Sequence, residues 1–325
     1  MKTILVTGGA GYIGSVTVRR LRENGYDVVV LDNLSRGNKD AVPGDVPLIA
    51  ADISAKDALD DIFTNYSIDA VMHFAAFAYV GESVENPILY FENNLEKSIR
   101  FFHQMQKHGV KNIIFSSTCA VYGVPSQVPI TETEKKKPIN PYGLTKSLIE
   151  EVLEWHTQNN GLASVSLRYF NAAGAAYGIG EDHKPEAHLI PLVLQVALGQ
   201  RDSVNLFGTD YPTPDGTCIR DYIHVLDLAD AHILALKSLE EGKAKVYNLG
   251  TGTGHSVNEV IDMCRAVTMH QIPTKVCEQR QGDPPMLVAS AKKIEEELDW
   301  KPQYSLSESI ASAWDWHRKN PDGYA

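Results

Sequence analysis

Lys2-Thr3-Ile4-Leu5-Val6-Thr7-Gly8-Gly9-Ala10-Gly11-Tyr12-Ile13-Gly14 carries an apolar strand straight into glycines spaced by three, and a helix-period segment, SVTVRRLRENG, follows at once. Glycine lets a backbone turn tightly and approach another group closely. The first N–H groups of a helix have no partner within it and, with the positive end of its dipole, face an anion. A strand, a glycine-rich turn and a helix in this order therefore form a phosphate cradle. Gly25 is placed to end the helix in a left-handed conformation before the next strand.

Working outward, DVVVLDN (27–33) is a second strand that ends at Asp32, 18 residues after Gly14. A carboxylate there accepts hydrogen bonds from adenine-ribose hydroxyls, which favours NAD over NADP. Arg36 is the nearby cation that a 2′-phosphate would meet. Further β-branched runs, AVMHFAA (70–76) and NIIFSST (112–118), alternate with helix-period segments. That alternation predicts α/β architecture, a Rossmann-type doubly wound parallel sheet whose nearly continuous apolar strands are covered on both faces. SVSLRYFN (164–171) and KVYNLGTG (245–252) read as later strands.

From about residue 173 the texture changes to loops rich in Gly, Pro and polar residues: AAGAAYGIGEDHKPE, FGTDYPTPDGT and RQGDPPM. Loops of this kind often carry binding groups. The reading is a Rossmann domain over 1–172 and a smaller α/β substrate-binding lobe over 173–325, with the chain crossing back near 245–252.

Composition narrows the partners. The 325 residues are 43% hydrophobic and 22% charged, with a net charge of −11 and no long basic run. Neither nucleic acid nor an anionic membrane surface is expected as a partner. Cys119, Cys218, Cys264 and Cys277 are widely spaced and form no CxxC pair, so no disulfide framework and no metal centre are expected. The chain opens directly on an apolar strand without a charged-then-apolar leader, and no apolar run approaches the roughly 18 residues of a membrane span. A cytoplasmic protein is expected.

Asn140-Pro141-Tyr142-Gly143-Leu144-Thr145-Lys146 opens a helix that continues through SLIEEVLEWH. Tyr142 and Lys146 are four apart and share a face. A phenol ordinarily titrates near 10. A neighbouring ammonium, aided by oxidised nicotinamide, would favour the phenolate. Ser116-Ser117-Thr118 follow the strand NIIF, at the end where parallel strands meet the ligand crevice. A hydroxyl there is positioned to share a proton with Tyr142.

TGGAGYIGS, SSTCAVYG, PYGLTK and LRYFNAAGA occur in that order, joined by LDNLSRG, FAAFAYVGES, FGTDYPTPDGTCIRDYIHV, YNLGTG and RQGDPP. On these motifs nearly the whole chain resembles the extended short-chain dehydrogenase/reductase family, and within it the UDP-glucose 4-epimerases. The resemblance implies that Tyr142 is the base, Lys146 its partner and nicotinamide-ribose ligand, and Thr118 the hydroxyl that aids proton transfer. It implies an NAD site built on Gly8, Gly11, Tyr12, Ile13 and Gly14 of the cradle. Asp32, Asn33, Leu34, Ser35, Arg36 and Gly37 would continue it after the second strand, with Asp52 and Ile53. Phe74, Ala75, Ala76 and Ala78 would supply another wall. Asn93, Ser116 and Tyr169 would complete it.

The same resemblance puts a UDP-sugar on Asn171, His188, Leu189, Asn205 and Phe207, and on Arg220, Tyr222, Arg280, Asp283 and Leu287, beside Thr118 and Tyr142. Guanidinium matches phosphate oxygens bidentately, although Arg220 and Arg280 also fit as surface ion-pair residues. The implied reaction removes the 4-hydroxyl proton while hydride passes from sugar carbon 4 to NAD. A 4-keto sugar forms, turns over and takes the hydride back on its other face.

Departures from the family pattern are Thr118 in place of the commoner serine, Val16 for histidine, Ala78 for lysine and His188 for asparagine. Leu287 stands between the tyrosine of some relatives and the small residue that admits N-acetylated sugars in others, so it is either a pocket wall or ordinary packing. Cys119-Ala120 occupy the positions where the dehydratases carry an Asp-Glu pair, so elimination of water is not expected. A UDP-xylose/UDP-arabinose 4-epimerase remains an alternative. A homodimer is implied through the helix from Ile88 to His108 and the Tyr142 helix, although the stripe Leu148, Val152 and Trp155 equally suits a helix covering a sheet.

Overall fold

A computed structural model describes residues 2–280 and 283–324. Gln281 and Gly282 of the RQGDPP motif lie outside the described residues. The first strands and helices are β1 (Thr3–Thr7), α1 (Tyr12–Glu23), β2 (Asp27–Asp32), β3 (Leu48–Ala50), α2 (Lys56–Asn65) and β4 (Ile68–His73). There follow α3 (Val80–Glu85), α4 (Pro87–Tyr90), α5 (Lys97–Lys107), β5 (Asn112–Thr118), α6 (Pro141–Asn160) and β6 (Ala163–Tyr169). The later elements are β7 (Asn171–Ala173), α7 (Leu189–Ala197), β8 (Val204–Phe207), β9 (Ile219–His224), α8 (Val225–Lys237) and β10 (Ala244–Leu249). The chain ends through β11 (Gly254–Ser256), α9 (Val257–Thr268), β12 (Thr274–Cys277), β13 (Met286–Leu287), α10 (Lys292–Leu298) and α11 (Leu306–Lys319).

Among the described residues, β10-β6-β5-β4-β1-β2-β3 form one parallel sheet. Side chains alternate across each strand. Ile4 and Val6 of β1 therefore join Val18 and Leu21 of α1 and Leu228 and Ala231 of α8 on one face. Leu5 joins Phe101, Phe102 and Met105 of α5 and Ile149 and Leu153 of α6 on the other. KVYNLGTG does return to the main sheet, as β10 beside β6. Gly25 has φ of +79°, the left-handed conformation that follows the end of α1.

A second core gathers Ile190, Val193 and Leu194 of α7, Val260 and Ile261 of α9 and Ile310 of α11. Beside it, β9 takes β7, β11 and β13 as neighbours, and β8 pairs with β12. The segment read as one helix from Ile88 to His108 is interrupted. Between α4 and α5, residues Phe91–Glu96 wind as a π-helix. Such turns displace one residue outward and are frequent at functional sites. This one contains Asn93, which faces the cavity described next.

Candidate active site

The C-terminal ends of β1, β2, β4, β5 and β6 open on a cavity of about 1110 Å³ that continues to β8, β9 and β13. Its first end is the glycine cradle. Gly8 has φ of +71°, and a Cβ there would stand 2.5 Å from the Ala75 backbone nitrogen; at Gly14 it would stand 2.2 Å from the Gly8 carbonyl oxygen. Only hydrogen fits either place. Gly11 caps α1 without a side-chain bond, and the first turn holds no acidic residue. The N–H groups of that turn are left to an anion. This cradle fits the pyrophosphate of NAD.

Asp32 ends β2 beside the cradle. Its carboxylate accepts the Ala10 N–H at 3.0 Å and the Leu34 N–H at 2.9 Å, while burial raises its pKa. Asn33, Ser35, Gly37, Asp52, Ile53, Phe74, Ala75, Ala76 and Ala78 line the same end, with Tyr12 and Ile13 of α1. Leu34 does not. It adopts φ of +58°, and its side chain packs on the core that holds α1. Only its backbone N–H serves the site, by fixing Asp32.

Arg36 lines the cavity but is already engaged. Its guanidinium lies 4.2 Å from the Phe77 ring centroid and 4.5 Å from that of Tyr79, and Nη2 donates to Glu82 at 2.6 and 2.8 Å. Glu82 neutralises this charge, which disfavours a 2′-phosphate beside it, in keeping with NAD. Val16, where relatives carry histidine, is fully buried against Ile179, Val225 and Ala229.

At the middle of the cavity, Asn140 caps α6 by accepting the Gly143 N–H at 2.8 Å, which fixes the turn holding Tyr142. Lys146 is 2% exposed, and its Nζ donates to the Ser116 carbonyl at 2.7 Å. Nζ lies 6.0 Å from the Tyr142 ring centroid. Burial pushes the Tyr142 phenol up to about 12, against the hydrogen bond of Thr118. Burial also pulls the Lys146 amine down to about 7, with Glu150 acting against it. Among the chain's own groups, desolvation is the largest influence on the phenol.

Glu150 lies one turn further along α6. It accepts Ser117 Oγ at 2.6 Å and Arg168 at 2.9 and 2.6 Å, and Arg168 also donates to Tyr122 Oη at 2.8 Å. Tyr122 in turn donates to Asn248 at 2.6 Å. This buried network backs Lys146. Tyr169 lines the cavity and pairs its hydroxyl with His232.

The far end collects Asn171, Leu189, Asn205, Phe207, Arg220, Tyr222, Arg280, Asp283 and Leu287. Arg220 donates to Asp283 at 2.7 Å, and the Arg280 guanidinium lies 4.0 Å over the Phe207 ring. The ion-pair reading thus holds for Arg220, yet both cations still face the cavity. Leu287, opposite Arg220 in the β13–β9 pairing, packs with Cys119 and Phe170 at the cavity wall.

His188 faces the cavity but turns Nδ1 to Glu181 at 2.7 Å and Glu186 at 3.1 Å. Burial works against its charge, and these two carboxylates raise its pKa to about 10. Glu181, His183 and Glu186, absent from the sequence-derived site, line the cavity with it. Their signal was the run EDHKPEAH, dense in carboxylates and imidazoles. Tyr79, Phe170 and Cys218 were also missed, since only the fold brings them to the wall.

Comparison with known proteins agrees with this geometry. A sequence model of the NAD dependent epimerase/dehydratase family matches residues 4–250. A UDP-glucose 4-epimerase of Halalkalibacterium halodurans is 54% identical over 326 residues, covering 99% of this chain and 97% of that protein. Among solved structures, a UDP-glucose 4-epimerase is similar at a TM-score of 0.96 and 49% identity over 100% of both chains. Another, from Bifidobacterium longum in complex with NAD+ and UDP, gives 0.95 at 40% identity over 99% of this chain and 100% of that one. With an NAD-sized cradle, a Tyr-Thr-Lys centre and a two-arginine pocket on one cavity, and with relatives of this closeness, the chain belongs to the NAD dependent epimerase/dehydratase family, among its UDP-glucose 4-epimerases.

Proposed function

We propose that this chain interconverts UDP-galactose and UDP-glucose by inverting sugar carbon 4, with NAD retained through the cycle. The observation that carries the reading is the meeting of the glycine cradle, the group Tyr142, Thr118 and Lys146, and the pair Arg220 and Arg280 on one cavity. Tyr142 Oη takes the 4-hydroxyl proton, with the Thr118 hydroxyl relaying it. NAD, held in the glycine cradle and at Asp32, would supply hydride transfer at carbon 4 and a positive charge that favours the phenolate. Lys146, anchored on Ser116, keeps its ammonium near the phenol and within reach of a ribose hydroxyl. As the sugar presents its other face, Tyr142 gives the proton back to the new 4-hydroxyl, so protons and electrons balance over one turnover.

Arg220, oriented by Asp283, and Arg280, laid on Phe207, bind the diphosphate. Binding energy then falls on the nucleotide and leaves the sugar free to turn. Leu287 at the wall is proposed to leave room for some N-acetylated substrate. Residues 1–172 and 173–325 divide the two binding tasks, with β10 shared by the first. A homodimer across α4–α5 and α6 is proposed from the exposed apolar side chains Ile88, Leu144 and Trp155. No helix among the described residues is long and apolar enough to cross a membrane. Free thiols at Cys119, Cys218, Cys264 and Cys277 favour the cytoplasm.

The test is to purify the protein without added NAD, incubate it with UDP-galactose and follow the anomeric proton signals by NMR. Appearance of UDP-glucose supports both the activity and the retained cofactor. Silence with added NAD, together with turnover of UDP-xylose, would transfer the reading to the pentose alternative.

A further inference from the structure

We infer that Glu181, His183, Glu186 and His188 form a zinc site that fastens the loop between β7 and α7. All four residues come from one stretch of eight, with spacing E-x-H-x-x-E-x-H. One oxygen or nitrogen from each lies within 4.8 Å of the other three. Two imidazoles with two carboxylates are a donor set suited to tetrahedral zinc. Zinc bonds of about 2.0–2.2 Å set ligand atoms about 3.4 Å apart. His188 Nδ1 lies 2.7 Å from Glu181 and 3.1 Å from Glu186, and His183 Nδ1 lies 3.1 Å from Glu181. Small rotamer adjustments carry these contacts to zinc geometry.

A second observation separates a metal site from a cluster of hydrogen bonds. His183 Nδ1 is buried and makes no hydrogen bond, despite its closeness to Glu181. The Tyr79 hydroxyl, whose ring packs edge-on to His183, is buried and unpartnered as well. Charge points the same way. Glu181 and Glu186 are both deeply buried, and among the described residues neither has a lysine or arginine within ion-pair distance. Buried charges need a partner or a metal. A divalent cation held by two imidazoles would balance the two carboxylates at one centre. The absence of a CxxC pair excludes only thiolate sites and does not bear on this nitrogen and oxygen set.

The site would act on structure rather than chemistry. The loop it closes leads directly into Leu189 and α7, and Gly180 beside it packs on Trp316 of α11. The test uses the full chain, with any affinity tag removed, stripped by EDTA and titrated with zinc chloride by calorimetry. Metal content is read after gel filtration. One zinc per chain is expected, with His183→Ala and Glu181→Gln each binding at least about tenfold more weakly. Cobalt substitution of the wild-type chain gives a second reading that needs no variant: the strong visible absorption of tetrahedral cobalt is expected. Zinc at background level in the wild type would overturn the proposal. So would equal binding by both variants, or an octahedral cobalt spectrum.

Discussion

Arg168→Met removes the one arginine that meets Glu150 among the described residues while keeping most of the buried volume. In the folded chain the Glu150 side chain is 7% exposed and that of Arg168 is 5% exposed. The substitution deletes two charge-assisted hydrogen bonds, at 2.9 and 2.6 Å, and the donation to Tyr122. Ser117 Oγ stays bonded, and the nearest remaining cation is Lys136 Nζ at 3.5 Å. Breaking one partner of a buried ion pair leaves the other charge uncompensated and costs about 3–5 kcal/mol. Glu150→Gln combined with Arg168→Met leaves only a bonded amide, so the double variant should lose about 1 kcal/mol. Removing the second charge therefore restores stability.

The pH dependence follows from Glu150. Burial raises its pKa, but the bonds and charge of Arg168 prevail and hold it below the ordinary 4.5. Its stabilising contribution is full above that ordinary value and is lost as pH falls through the lowered one. In Arg168→Met burial is opposed by Ser117 and Lys136 without the arginine, and the folded pKa rises, so the penalty is greatest at neutral pH and fades on acidification. Urea unfolding followed by tryptophan fluorescence, at about pH 7 and about pH 4.5, reads both effects. A single-variant loss below about 1 kcal/mol would refute the reasoning. So would a double variant as unstable as the single, or a deficit independent of pH.

Three further outcomes are expected. Tyr142→Phe should lower kcat by about 10²–10⁴-fold with little change in KM, measured by coupled assay of UDP-glucose formation; a loss below tenfold would remove Tyr142 from proton transfer. Gly14→Ala puts a methyl 2.2 Å from the Gly8 carbonyl oxygen, so about 1–3 kcal/mol of stability should go and NAD should separate from the protein on gel filtration. Leu287→Tyr should lower the kcat/KM ratio of N-acetylated to plain UDP-sugars, and an unchanged ratio in direct competition would make Leu287 ordinary packing.

What the sequence determined by itself was whatever a short segment specifies locally. The run from Lys2 to Gly14 needed only the spacing of three glycines between an apolar strand and a helix, because the cradle is made from consecutive backbone groups. Asp32 at the end of β2 and the four-residue interval from Tyr142 to Lys146 were legible for the same reason. The tertiary structure decided everything that depends on partners far along the chain. Leu34 sits amid cavity-lining neighbours yet turns to the core, Arg36 is claimed by Glu82, and Glu150 is held by Arg168 from the next strand. It also set the balance at Tyr142 and Lys146, where spacing announced a charge pair but burial, a property of the assembled fold, pushes the phenol and the amine towards neutrality. Spacing brings groups within reach, and packing fixes how much water they lose and which charges they meet.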